Sequence, residues 1–187
     1  MGKYMKWLIL PLVLAGVALL VSCVKRPHAD TDDIDGGVQH YDDTDAPKTI
    51  VSTQIVSFSC QFSAYSLSFD SSPVAGRYHT LYAGEGEGRY EARGGGTVYE
   101  AFEFVPDAAF FAALQQLVAK YDLAQYNGKS YTVSGLPPDY GAKLNIQYES
   151  GESIYASNNQ SCFLSVEAME AFADLFLSAK PKIQEQE

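Results

Sequence analysis

The stretch Val56-Ser57-Phe58-Ser59-Cys60-Gln61-Phe62-Ser63 places an apolar residue at every second position. In a β-strand successive side chains point to opposite faces, so Val56, Phe58, Cys60 and Phe62 share one face while the serines and Gln61 share the other. A helix would scatter the same residues around its axis. The chain is therefore expected to be organised around a β-sheet with one dry face and one wet face. From Tyr65 the apolar parity moves to Tyr65, Leu67 and Phe69, which predicts a bulge or bend near Ala64.

Toward the C-terminus the same reasoning predicts strands over 77–83, 88–93 and 97–105. The glycine-rich breaks at 84–88 and 94–96 fit hairpin loops. The period then changes. Asp107 is a good N-cap, and Phe110, Leu114, Leu117 and Tyr121, widened by Phe111 and Val118, recur at the spacing of one helix face. Lys120 suits the last turn of that helix, and Asn127-Gly128 ends the segment. Leu144, Ile146 and Tyr148 alternate with Lys143, Asn145 and Gln147 in a one-sided strand, which Ser150-Gly151 turns back into another at 153–157. Ser165 opens a final helix, with Leu164 and Met169 placed as a hydrophobic staple. Its apolar stripe is Met169, Phe172, Ala173 and Phe176, and Pro181 stops it.

Strands, helix, hairpin, helix: this order predicts an α+β fold, an antiparallel β-sheet of about six strands with two helices packed on one face. Residues 49–180 are assigned to this single domain and 181–187 to a C-terminal tail. Of the 187 residues 47% are hydrophobic and 19% charged, enough apolar content for one folded core. Lys and Arg number 13 against 23 Asp and Glu, a net charge of −10. That balance argues against a nucleic-acid partner, whose phosphates demand an excess of bases.

The N-terminus reads as an address. Lys3 and Lys6 precede an apolar run from Trp7 to Val21 of 15 residues. The run is shorter than the ~18–20 residues a helix needs to cross a ~30 Å hydrocarbon core. Charged start, short apolar run and small residue before the break mark residues 1–22 as an export signal. Leu20-Val21-Ser22-Cys23 resembles the lipobox of bacterial lipoproteins. The resemblance implies cleavage before Cys23, lipidation of its sulfur and acylation of the new amino terminus. At ~0.8 kcal/mol per buried methylene, two or more acyl chains (palmitate, for example) hold a protein on a membrane without a spanning helix. Val24 follows, not the aspartate that resembles an inner-membrane retention signal. The expected location is thus the extracytoplasmic face of the cell membrane, or the outer membrane in an organism that has two.

After cleavage 11 bases face 23 acids, a net charge of −12. Seven of the acids, Asp30, Asp32, Asp33, Asp35, Asp42, Asp43 and Asp45, precede residue 48, together with Gly36 and Gly37. Such a stretch buries too little apolar surface to offset its ordering entropy, so 23–48 is expected to be a flexible tether behind the lipidated cysteine. Asp30-Thr31-Asp32 opens like a calcium loop. The positions that should hold an oxygen ligand, a glycine and a glutamate are Ile34, Asp35 and Tyr41, so the match fails.

Catalytic patterns are sparse. His79 is the only histidine in 49–180, so a nucleophile–histidine–acid triad has one candidate base, and no serine sits in G-x-S-x-G. In a strand His79 is expected to be an ordinary hydrogen-bonded residue. There is no HExxH and no Cys and His cluster with metal spacing, so neither metal nor cofactor is expected. Gly128-Lys129-Ser130 resembles the end of a phosphate loop, but Leu123 stands where its first glycine belongs. Glu85 and Glu87 share a hairpin tip and cannot oppose each other across a substrate as a glycosidase pair must. With Cys23 lipidated, Cys60 and Cys162 are the remaining thiols. A disulfide between them would close about 100 residues and add ~4–5 kcal/mol in chain-entropy terms. Alternatively Cys60, on the apolar face, stays a small hydrophobe. The sequence leaves both open.

Tyr126-Asn127-Gly128, the run Gly135-Leu136-Pro137-Pro138-Asp139-Tyr140-Gly141, Gly151-Glu152 and Asn158-Asn159 resemble a motif set of an uncharacterised family of lipoproteins from Gram-positive anaerobes. The resemblance implies location and fold, and no activity. Physically, Pro137 and Pro138 stiffen the loop that carries Asp139 and Tyr140. Tyrosine and asparagine offer adaptable contact area to a peptide or glycan of the envelope. Asp139, Tyr140, Asn158 and Asn159 are accordingly the candidate binding residues. The expected function is a membrane-anchored extracytoplasmic binding domain without catalytic activity. The alternatives are a cell-envelope hydrolase with an unrecognised site and a structural or inhibitory envelope protein.

Overall fold

A computed structural model describes residues 37–63, 78–94, 96–136 and 140–182. In chain order its elements are β1 (Val38–Asp42), β2 (Ile55–Ser63), β3 (Tyr78–Gly84), β4 (Glu87–Gly94), β5 (Thr97–Phe104) and α1 (Ala108–Lys120). A short 3-10 turn (Leu123–Tyr126), β6 (Lys129–Val133), β7 (Ala142–Tyr148), β8 (Ser153–Asn158) and α2 (Val166–Ser178) complete them. The eight strands form one sheet in the order β1-β6-β8-β7-β2-β3-β4-β5. The α+β class with two helices agrees with the sequence. The count of six strands does not, and the sheet is not wholly antiparallel, because β6 runs parallel to β8.

Two strands account for the difference. The stretch expected to be a flexible tether up to residue 48 is sheet from Val38, paired antiparallel with β6. An edge strand needs main-chain bonds to one neighbour and little apolar content of its own, and the His40 ring adds an edge-on contact to Tyr131 at 5.4 Å. Beyond β1, Asp43 N–H donates to the Gly128 carbonyl at 2.9 Å and the Lys48 amine donates to the Asn127 carbonyl. Residues 38–48, expected to belong to the tether, are therefore part of the folded unit. The other missed strand, β6, is five residues long and carries no clean alternation. The bend foreseen near Ala64, with Tyr65, Leu67 and Phe69, lies outside the described residues, as does Cys23.

The core follows the register. Phe58, Ala83, Gly88 and Phe104 are successive neighbours across β2 to β5, and Ile146 and Ile154 continue the row through β7 and β8. Both helices press on this face. Asp107 caps α1 by accepting from Phe110 N–H at 2.7 Å, and Ser165 caps α2 by accepting from Ala168 N–H at 3.2 Å. The Phe176 ring then lies 6.0 Å from Phe58, 5.7 Å from Phe104 and 5.1 Å from Phe110, joining both helices to the row at β2 and β5. Gly88 is required there, since a Cβ would sit 2.5 Å from the Phe104 ring. One parity expectation is corrected. Ile55, not Val56, joins the core, because the β2–β7 register shifts between Ile55 and Ser57 and turns Val56 out, 40% exposed.

Cys60 and Cys162 are free thiols, with no bridge between them. Cys60 lies between Leu81 and Leu144 in the register, and the Cys162 sulfur is 3.4 Å from that of Met169. Burial pushes both thiols up, Cys162 to about 11, so each stays protonated and poorly nucleophilic at neutral pH. The native protein should react slowly with iodoacetamide at neutral pH, and both thiols should react once it is unfolded without reductant. Mass spectrometry counts the adducts, and an unfolded, unreduced chain that takes up none would contradict the free pair.

Candidate cleft on the uncovered sheet face

Among the described residues nothing packs on the face of the sheet opposite the helices. Its character follows from strand parity. On β6, β8, β7 and β2 the row Ser130, Ser157, Lys143 and Gln61 crosses the sheet in register, beside a second row of Tyr155, Asn145 and Ser59. Lys143 is the only charge among these residues. Toward the other edge the charges are paired, Arg89 with Glu87 at 2.6 Å and with Glu103 at 3.7 Å, and Arg93 with Glu91 at 3.7 Å. The half of this face whose rows carry Lys143 as their one charge holds an open cleft of about 360 Å³.

The cleft forms where β6 outruns β8. Register pairing between them ends at Tyr131 and Asn158, and the chain then crosses to β7 through the loop that begins at Ser134. Ser130, Thr132, Ser134, Tyr140, Lys143, Tyr155 and Ser157 contribute to its lining, with Leu136 at the loop. The Ser130 and Ser157 hydroxyls meet at 2.8 Å. Tyr155 is 41% exposed, on the polar side of a strand whose Ile154 and Ala156 are buried.

Buried Asn127 fixes Tyr155 in place. Its amide donates to the carbonyls of Pro47 and Ser153, both at 3.0 Å, and accepts from Tyr155 N–H at 2.8 Å. Gly128, at φ +80°, then donates to the Tyr155 carbonyl at 2.8 Å. A Cβ there would meet Ala46 at 2.6 Å, so only glycine lets β1, β6 and β8 converge.

Of the candidate residues, Tyr140, Asn158 and Asn159 come together at this cleft, and Asp139 lies outside the described residues. The two asparagines differ from expectation in role. Asn159 accepts from Val133 N–H at 2.7 Å and donates to the Val133 carbonyl at 2.9 Å, acting as a substitute strand where β8 ends. The Asn158 oxygen accepts from the N–H groups of Gln160 and Ser161, at 2.8 and 3.0 Å. Both amides are engaged by the chain's own backbone, so they build the cleft rather than offer themselves to a ligand. Tyr155 and Lys143 are exposed there, beside the half-buried pair Ser130 and Ser157, and none of the four was expected as a binding residue. The signal for Tyr155 was present: a tyrosine on the wet side of a strand with buried neighbours on either side.

His79 is buried on the opposite face, stacked on Phe62 at 4.9 Å with its Nδ1 3.3 Å from the Tyr90 hydroxyl. It is the hydrogen-bonded core residue expected. A smaller cavity of about 160 Å³ lies under α1, where the Tyr148 hydroxyl and the Gln115 amide oxygen are buried without a hydrogen bond. Burial, then Glu152, raise the Tyr148 phenol to about 12, with Gln115 close enough to oppose the shift. Among the described residues no three His, Cys, Asp or Glu gather as a metal site would require, and no helix is long and apolar enough to cross a membrane. The chain matches no protein-family model, no curated protein and no solved structure.

Proposed function

We propose that the protein is a lipid-anchored extracytoplasmic domain that uses the cleft on its uncovered sheet face to bind a component of the cell envelope. The observation that carries this reading is the cleft itself: a tyrosine- and hydroxyl-lined recess with Lys143 as its one charge, on the sheet face opposite the helices, built from residues 130–136, 140–143 and 155–159 and held by Asn127, Asn159 and Gly128. The anchor rests on the short apolar run and on Leu20-Val21-Ser22-Cys23. The chain enters the domain at the cleft's rim, where the Gly37 carbonyl accepts from Ser134 N–H at 2.8 Å. The 14 residues from Cys23 to Gly36 can span at most roughly 50 Å, so a ligand held in the cleft stays near the membrane. The hydrolase alternative has no comparable support, since His79 is buried on the far side of the sheet.

The anchor is tested by fractionation. Cys23→Ala should move the protein from the membrane fraction to the soluble exported fraction without changing its melting temperature, and mass spectrometry of the native N-terminus should find an acylated cysteine. A mature protein beginning at Met1, or a Cys23→Ala variant that stays with the membrane, contradicts it.

A further inference from the structure

We infer that the cleft's ligand is a neutral glycan, a chain of uncharged sugar units, rather than a peptide or a charged polymer; this rests on the binding-domain reading above. The lining matches sugar chemistry. Hydroxyls such as Ser130 and Ser157 both donate and accept, as sugar hydroxyls do, and the exposed Tyr155 ring offers a flat surface for the C–H face of a pyranose.

Three of the usual devices for peptide recognition, a free strand edge, an apolar helix groove and an arginine cluster, are absent from the described lining of this cleft. A free strand edge is missing, because β6, β8 and β7 are interior to the sheet order and the overrunning end of β6 is closed by the Asn159 amide on Val133. An apolar groove is missing, since large aliphatic side chains in the lining are confined to Val133 and Leu136. An acidic motif would call for arginines, and no arginine lines the cleft. Charged polymers fit no better. Lys143 is the single cation in the lining and no carboxylate is present, while the chain from residue 23, at −12, repels a polyanion.

The test uses the full chain from residue 23 with Cys23→Ala, which removes the lipidated thiol. Trp7 lies in the leader, so emission from this chain is tyrosine emission. Neutral hexasaccharides of glucose, galactose, mannose and N-acetylglucosamine are titrated at up to millimolar concentration, beside polygalacturonate and an alanine–glycine hexapeptide. The expected result is saturable binding of at least one neutral hexasaccharide, insensitive to salt and weakened at least tenfold by Tyr155→Ala and by Ser157→Val at unchanged melting temperature. Binding of polygalacturonate or the peptide instead, lost in Tyr155→Ala, overturns the glycan class while leaving the cleft a binding site. Neutral binding that survives both substitutions, or no binding by any probe, overturns the inference. The binding-domain reading falls as well only if whole envelope material also leaves Tyr155 unprotected.

Discussion

Phe176→Ala should lower the stability of the domain by ~3–5 kcal/mol, the cost of truncating a buried aromatic whose surroundings cannot collapse. Phe176 is fully buried and its ring meets those of Phe58, Phe104 and Phe110. These rings belong to β2, β5 and α1, so the void opens where three elements converge and none can shift without losing contacts on its other side. At roughly 2–4 °C per kcal/mol for a domain of this size, the melting temperature should fall by roughly 6–20 °C. Val166→Ala, at a 40% exposed position on the same helix, should stay within ~0.5 kcal/mol of the parent. Equal melting temperatures for the two variants would show that α2 is not packed on the sheet as described.

Gly141→Ala should be nearly as damaging, and for a different reason. Gly141 has φ +79°, and a Cβ there would lie 2.0 Å from the Asn158 carbonyl oxygen. The left-handed backbone costs a non-glycine residue ~1–2 kcal/mol. Forcing β7 away from the end of β8 adds ~1–3 kcal/mol of overpacking. Gly135, at φ +89° with nothing within 4 Å, provides the control: Gly135→Ala meets the backbone cost alone. Gly141→Ala should therefore melt well below Gly135→Ala, and its cleft should be distorted as well. Identical melts would place the two strand ends farther apart than the geometry described.

What could be read from the sequence was local. The caps Asp107 and Ser165 act within one turn of a helix and stand where their residue types indicated, and Leu164 and Met169, spaced for a staple, are both buried. The one-sided strand β7 and its return β8 were equally legible, because alternation reports a face without needing to know the partner. β1 and β6 were not. Both are five residues long, β1 lies within an acidic stretch, and what makes them strands is main-chain pairing between residues about 90 positions apart, which leaves no mark on side-chain periodicity. The same limit hid the bulge at Val56, a feature of the β2–β7 ladder rather than of β2. For the cleft, the segments around Tyr140 and Asn158-Asn159 were legible as a place but not as roles. An asparagine bonded to its own backbone and one facing a ligand look alike until the Val133 main chain is found beside it. Asn127, which positions Tyr155 through Pro47, Ser153 and the Tyr155 amide, had appeared as the end of a helical segment and within a motif set, with no role assigned to it.

Hydroxyl-radical footprinting of the chain in the presence and absence of purified envelope material tests most directly whether this cleft is the binding site. Two tyrosines serve as paired reporters: Tyr155, 41% exposed in the cleft, and Tyr99, 52% exposed on the opposite edge of the sheet. Binding in the cleft predicts that oxidation of Tyr155 slows severalfold on addition of envelope material while Tyr99 is oxidised at an unchanged rate. Protection of Tyr99 with Tyr155 left fully reactive, or no change at either position, would contradict it.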